Sequence, residues 1–135
     1  MPIQFSVAVR NARLDAIETT AGASAVLRVR TGSPPADCAA ARTGTVLATV
    51  NLPSEWMAAA SGGTKALSGT WQDASADATG TAGHFEIMNN ALSTCHMQGT
   101  VTLTAGGGDM TVDSTSFTAG QQFTVTAFTL TDGNA

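Results

Sequence analysis

From Ala25 onward the apolar residues recur at every second position, and this period of two limits the fold more than any other feature. In 25–30, Leu27 and Val29 fall on one side and Arg28 and Arg30 on the other. Residues 44–52 place Val46, Ala48, Val50 and Leu52 inward, and Pro53 ends the run. Residues 65–72 align Leu67, Gly69 and Trp71. In the next strand Gly83, Phe85 and Ile87 are expected inward, with His84, Glu86 and Met88 outward. The return strand, 94–104, groups Cys95, Met97, Gly99, Val101 and Leu103 against His96, Gln98, Thr100, Thr102 and Thr104. Met110 and Val112 form a short strand. In 121–131 Phe123 and Val125 are in phase, then Phe128 and Leu130 switch, which predicts a bulge or bend near Ala127.

Turn-forming stretches separate these runs. They are 31–43 with Pro34 and Pro35, 54–63 with a partly buried Trp56, the small-residue loop 73–79, Asn89-Asn90 and Gly106–Gly108. About seven or eight short strands result, the spacing of a sandwich or barrel. Before them lies one helical pattern over about 6–20. Ser6 is its cap, Gly22 its stop, and Val7, Leu14, Ile17 and Ala21 its apolar side. Arg10, Arg13, Asp15 and Glu18 are expected on its solvated side. With no second helix to serve as a crossover, the strands are expected to be antiparallel. The fold class is therefore mainly β: an antiparallel, jelly-roll-like β-sandwich with one N-terminal α-helix, in a single domain spanning 1–135.

Leu, Ile, Val and Phe number only 25 of 135 residues, a poverty that signals disorder when charge is high. Here charged residues are 12% and the net charge is −4, so a folded chain with a Thr-rich, weakly ionic surface is expected. Such a surface has few long charged side chains to immobilise and is easily covered by a partner. Residues 1–42 carry Arg10, Arg13, Arg28, Arg30 and Arg42 against Asp15, Glu18 and Asp37, whereas 43–135 carry Lys65 against seven acids. This is either scatter or a mildly basic face for an acidic partner, and it is too weak for a nucleic-acid track. The opening MPIQFSVAVRNARLD has neither a basic n-region nor a long apolar run, and no segment is long enough to span a membrane. A cytosolic, soluble product is expected, with Cys38 and Cys95 as reduced, buried thiols.

Reactive constellations are sparse. His84, Glu86 and His96 on one outward face are the only candidates for a metal or hydrolytic site, and they are too few to close one. Cys95 and His96 are consecutive on a strand and point apart, so they cannot pair as nucleophile and base. The loop from Asp73 to Gly80 has oxygen ligands at alternate positions but lacks a closing bidentate Glu, so it reads as a turn bonding its own backbone. Gly106–Gly108 lacks the Lys-Ser/Thr of a phosphate loop. Trp56 and Trp71 could offer a sugar platform, although they also fit core positions. No enzymatic activity, cofactor or metal is expected.

Three stretches, QFSVAVRNARLDAIETTAGASAVLRVRTGSPP, WQDASADATGTAGHFEI and GGGDMTVDSTSFTAGQQFTVTAFTLTDGN, cover most of the chain. Together they resemble small proteins encoded near the major capsid gene in tailed phages and prophages, some of them capsid decoration (cement) proteins. The resemblance implies a jelly-roll-like β-fold and a place on the outer surface of the virion capsid, after synthesis in the host bacterial cytoplasm. It implies binding to the major capsid protein, bridging of capsomers, and association with other copies as a dimer or trimer. The charge asymmetry adds a docking surface formed by Phe5, Arg10, Arg13, Arg28 and Arg30. The rival reading of that segment is an intramolecular lid over one sheet. The alternative function is a phage tail or head-fibre module that recognises a host carbohydrate.

Overall fold

The computed structural model describes residues 3–133. In chain order its elements are α1 (Val7–Ala21), β1 (Val26–Thr31), β2 (Val46–Asn51), β3 (Thr64–Ala66), β4 (Trp71–Asp73), β5 (Gly80–Met88), β6 (Cys95–Leu103), β7 (Met110–Val112), β8 (Ser116–Phe117), β9 (Phe123–Val125) and β10 (Thr129–Thr131). The fold is mainly β and sandwich-like, with one N-terminal helix.

The main sheet runs β2-β1-β5-β6-β7, and β8 extends the early part of β5. Its inner face is the row expected from alternation. Leu27 stands opposite Val50 and Ile87, and Val29 opposite Ala48 and Phe85. All six are buried. The facing layer is made of two short ladders, β4 with β9 and β3 with β10. A chain of rings joins the layers: Trp56 to Trp71 at 5.9 Å, Trp71 to Phe128 at 5.6 Å, and Phe128 edge-on to Phe85 at 5.6 Å. Each indole N–H finds a carbonyl, Trp56 that of Gly22 and Trp71 that of Trp56, so the rings are buried without an orphaned donor. Trp56, expected to be partly buried, is fully enclosed.

Two expected strands are each divided. The run 65–72 breaks at Gly69, whose φ of +71° turns the chain from β3 to β4. The phase switch near Ala127 is the passage from β9, paired with β4, to β10, paired with β3. One pairing contradicts the expectation of antiparallel strands throughout. β7 runs parallel to β6, with Met110 opposite Val101. No crossover helix is needed, because 104–109 folds back tightly along β6. Gly108 donates to Thr102 Oγ1, and Asp109 Oδ2 accepts from Thr100 N–H. A Cβ at Gly106 or Gly108 would lie 2.7 Å from the Thr102 side chain, so the return requires glycine at both. Leu103, expected with the core row, ends β6 exposed.

The helix begins and ends as expected. Ser6 Oγ accepts from Val9 N–H, and Gly22 N–H closes on Glu18 O with φ at +92°. Leu14, Ile17 and Ala21 pack inward and Arg13 stays exposed, as expected, but four other helix residues depart from the expected facing. Arg10, Asp15 and Glu18 face the 57–65 segment, and Val7 and Val9 face solvent. Asp15 Oδ1 accepts from Ala60 N–H and Glu18 Oε2 from Met57 N–H, while Asn11 Oδ1 accepts from Gly63 N–H. The buried Lys65 ammonium lies between the two carboxylates, 2.7 Å from Asp15 and 3.1 Å from Glu18. Only Leu14, Ile17 and Ala21 give the helix apolar seating.

This triad sets a pH window. Hydrogen bonds from Lys65 and the Ala60 N–H hold the Asp15 carboxyl below the usual carboxylate range. Burial alone would lower the Lys65 ammonium, but its bonds to Asp15 and Glu18 outweigh it and raise the net value. The Asp15 contribution is present above about pH 4 and is lost as pH falls through its lowered value; the Lys65 contribution is lost only above the ordinary lysine range. Lys65→Ala should cost about 2 kcal/mol in urea unfolding at neutral pH, the half-exposed Asp15 limiting the loss. Asp15→Asn should flatten the acid limb of the stability profile, and an unchanged limb would refute this assignment.

Candidate functional site

The outer face of the main sheet holds the residues once expected to be outward and reactive. It is not solvated. Arg30, His84, Glu86 and Met88 are buried, because segment 32–44 folds across them. His84 Nδ1–H donates to Gly32 O at 2.9 Å. Gln98 Nε2 donates to Pro35 O, and Arg42 donates to Gln98 Oε1, Asp37 O and Ala40 O. The close approach depends on Gly83, expected in the inward row but found as an unpaired bulge residue in β5. A Cβ there would meet Gly32 O at 2.2 Å.

Beneath this cover Arg30 Nε lies 2.9 Å from Glu86 Oε1, and Arg42 Nη1 lies 3.9 Å from the same oxygen. Arg28 stands opposite Glu86 on the neighbouring strand. Neither Glu86 oxygen has a well-aimed hydrogen bond among the described residues, nor has His84 Nε2. The carboxylate is held by surrounding cations. His96 lies elsewhere: Thr100, not His96, is opposite His84, and His96 is the unpaired residue of a second bulge. That bulge also turns Cys95 away from Met97 and onto the outer face. The set His84, Glu86 and His96 is therefore not assembled. Among the described residues no group of three or more His, Cys, Asp or Glu is placed to hold a metal.

The other candidates resolve into structural duties. Asp73 accepts from Ser75 N–H and Thr49 N–H, and Asp77 from Thr49 Oγ1, so the loop ties itself to β2 as an Asx turn. A cleft of about 260 Å³ between β7–β8 and β9 is lined by Asp113, Ser114, Gln121, Gln122 and Thr124, with no imidazole or thiol to act on a ligand. Trp56 and Trp71 present no ring to solvent.

The five residues expected to dock fall into two clusters. Around α1, Arg10 donates to Asp132 O at 3.1 Å, and Arg13 Nε pairs with Asp132 Oδ2 at 3.2 Å while its guanidinium lies over the Phe5 ring at 5.1 Å. On the sheet, Arg28 is half-buried and Arg30 is 9% exposed and committed to Glu86. Arg30 thus cannot meet an external partner. Sequence reasoning missed three neighbours of Phe5. Ile3 is 80% exposed, and Val7 and Val9 are 46% and 42% exposed. Four exposed apolar residues lie within seven positions, an apolar strip of sequence at the start of the chain. Val7 lies in the helix as expected, but its spacing from Leu14 does not bury it.

No protein-family model matches this chain, and neither the curated proteins nor the solved structures contain a match. Among the described residues no helix is long and apolar enough to cross a membrane.

Arg30→Met should destabilise by about 3 kcal/mol, because it removes the ion pair closest to buried Glu86 and leaves Arg42 at 3.9 Å. Adding Glu86→Met should restore part of that loss in equilibrium unfolding. A double variant no more stable than the single one would mean that the cluster is held by something other than charge pairing.

Proposed function

We propose that this chain is a capsid decoration protein of a tailed phage, seated on the outer surface of the major capsid shell through its N-terminal strip. The observation that carries the reading is the exposed apolar start of the chain. Arg10, Asp15 and Glu18 are spent on internal anchoring, while Ile3, Val7 and Val9 are exposed and Phe5, under the Arg13 guanidinium, is 44% exposed. A helix that served only as an internal lid would bury Val7 and Val9. Two further features support it. The imidazole and carboxylate of His84 and Glu86, the groups best suited to catalysis, are sealed inside. The likeness of three stretches to proteins encoded beside phage capsid genes points to the same role.

Burial of one large apolar side chain contributes about 1.5–3 kcal/mol. A few per copy give modest affinity, which shell symmetry multiplies if copies associate as dimers or trimers that bridge capsomers. The carbohydrate-binding alternative has less support, since both tryptophans are enclosed.

The test is co-sedimentation of the purified protein with shells of the phage that encodes it, stripped of external proteins. Wild type should bind at high copy number. Ile3→Ser combined with Val9→Ser should weaken binding at least tenfold while leaving the unfolding midpoint within experimental scatter, because Ile3 is 80% and Val9 42% exposed. Wild type that stays in the supernatant, or a variant that binds equally well, would overturn the proposal.

A further inference from the structure

Cys38 and Cys95 are 57 positions apart in sequence, yet their sulfurs lie 3.1 Å apart. Cys38 belongs to the 32–44 cover and Cys95 to the first position of β6. Both are half-buried. The meeting depends on the His96 bulge, which moves Cys95 to the outer face. The cover is firmly shaped at this point. Asp37 Oδ1 accepts from the N–H groups of Ala39 and Ala40, and Arg42 bonds Asp37 O while its Nη1 sits 3.4 Å from Cys95 Sγ. Cys95 Sγ also lies 3.3 Å from Met97 O.

We infer that Cys38 and Cys95 are a disulfide site, a covalent staple that fastens segment 32–44 over the buried Arg30–Glu86 pair. The inference is independent of the capsid reading. The oxidant is a low-molecular-weight disulfide. Burial, followed by the hydrogen bond to Cys38, pushes the Cys95 thiol up to about 12 and disfavours it as the entering thiolate. The Cys38 thiolate attacks one sulfur of the small disulfide and expels a small thiolate. That thiolate takes the Cys95 proton, Cys95 Sγ attacks Cys38 Sγ, and the second small thiol leaves. The protein gives up two electrons and two protons, and the small disulfide becomes two thiols. A reducing cytosol holds the pair open, and an oxidising exterior closes it.

The experiment incubates the full chain with oxidised glutathione, then alkylates it under denaturing conditions and measures its mass and thermal unfolding. The expected product is a monomer lighter by two hydrogens, unalkylated, with a Cys38–Cys95 cross-linked peptide. Its unfolding midpoint should be raised by roughly 10 °C and restored by reductant, since the bond closes a long loop in the denatured chain. Cys38→Ser should lose that redox dependence and keep the midpoint of the reduced wild type. Full alkylation of both cysteines after oxidation, a persistent glutathione adduct, a linked dimer, or a midpoint insensitive to reductant would each overturn the inference.

Discussion

Strands β1 and β5 at the centre of the main sheet must be covered on both faces, and most of the remaining structure answers that requirement. A chain with so few large aliphatic side chains cannot close two faces with the same chemistry. One face is closed by apolar packing, where Trp56, Trp71, Phe128 and Phe85 supply the bulk that the aliphatic residues lack. The other is closed by a backbone-rich cover whose carbonyls at Gly32 and Pro35 take the polar hydrogens of His84 and Gln98. Because His84 Nδ1 and Gln98 Nε2 regain partners and the Glu86 carboxylate is held by cations, the second face can be dry without being hydrophobic.

The same economy governs the helix. α1 has little apolar surface turned inward, so packing alone would hold it weakly. Polar ties compensate: Asn11, Asp15 and Glu18 each take a backbone N–H of the 57–65 segment, and Lys65 lies against both carboxylates. Those N–H groups come from a tight hairpin whose turn glycines, Gly62 and Gly63, have φ of +61° and +79°. The helix therefore completes the hydrogen bonding of a hairpin that could not satisfy itself, and the hairpin fixes the roll of the helix.

Alternation made the inner face legible. Leu27, Val29, Ala48, Val50, Phe85 and Ile87 all lie where a period of two puts them, and Ser6 and Gly22 bound the helix as capping chemistry requires. What alternation could not convey was the fate of the opposite face. Arg30, His84 and Glu86 read as outward, and nothing marked Lys65 as buried, because ionisable side chains are usually solvated. Their burial rests on long-range partners, Gly32, Arg42, Asp15 and Glu18, that no local pattern announces. Single-residue bulges were equally silent. The unpaired Gly83 and His96 shift register by one, and the His96 bulge carried Cys95 to the other face, while the hairpin register itself set Thr100 rather than His96 opposite His84. The exposed apolar residues at the start of the chain were half visible. Phe5 was named, while Val7 was assigned to the core because helical spacing gives no sign of which way a helix is rolled.

The roll of the helix links fold to function under the proposed reading. Were α1 anchored by apolar contacts, Val7 and Val9 would compete with Leu14 and Ile17 for the same core, and the helix could satisfy itself by turning inward. Anchoring through carboxylate–backbone bonds and a buried ammonium removes that choice, since such bonds are directional and leave a buried charge unpaired when they are broken. The apolar strip is held outward even though water disfavours it, at the expense of Lys65 desolvation. Exposure maintained in this way is pre-organised, so a partner that covers the strip gains the apolar burial without the cost of reorienting a helix.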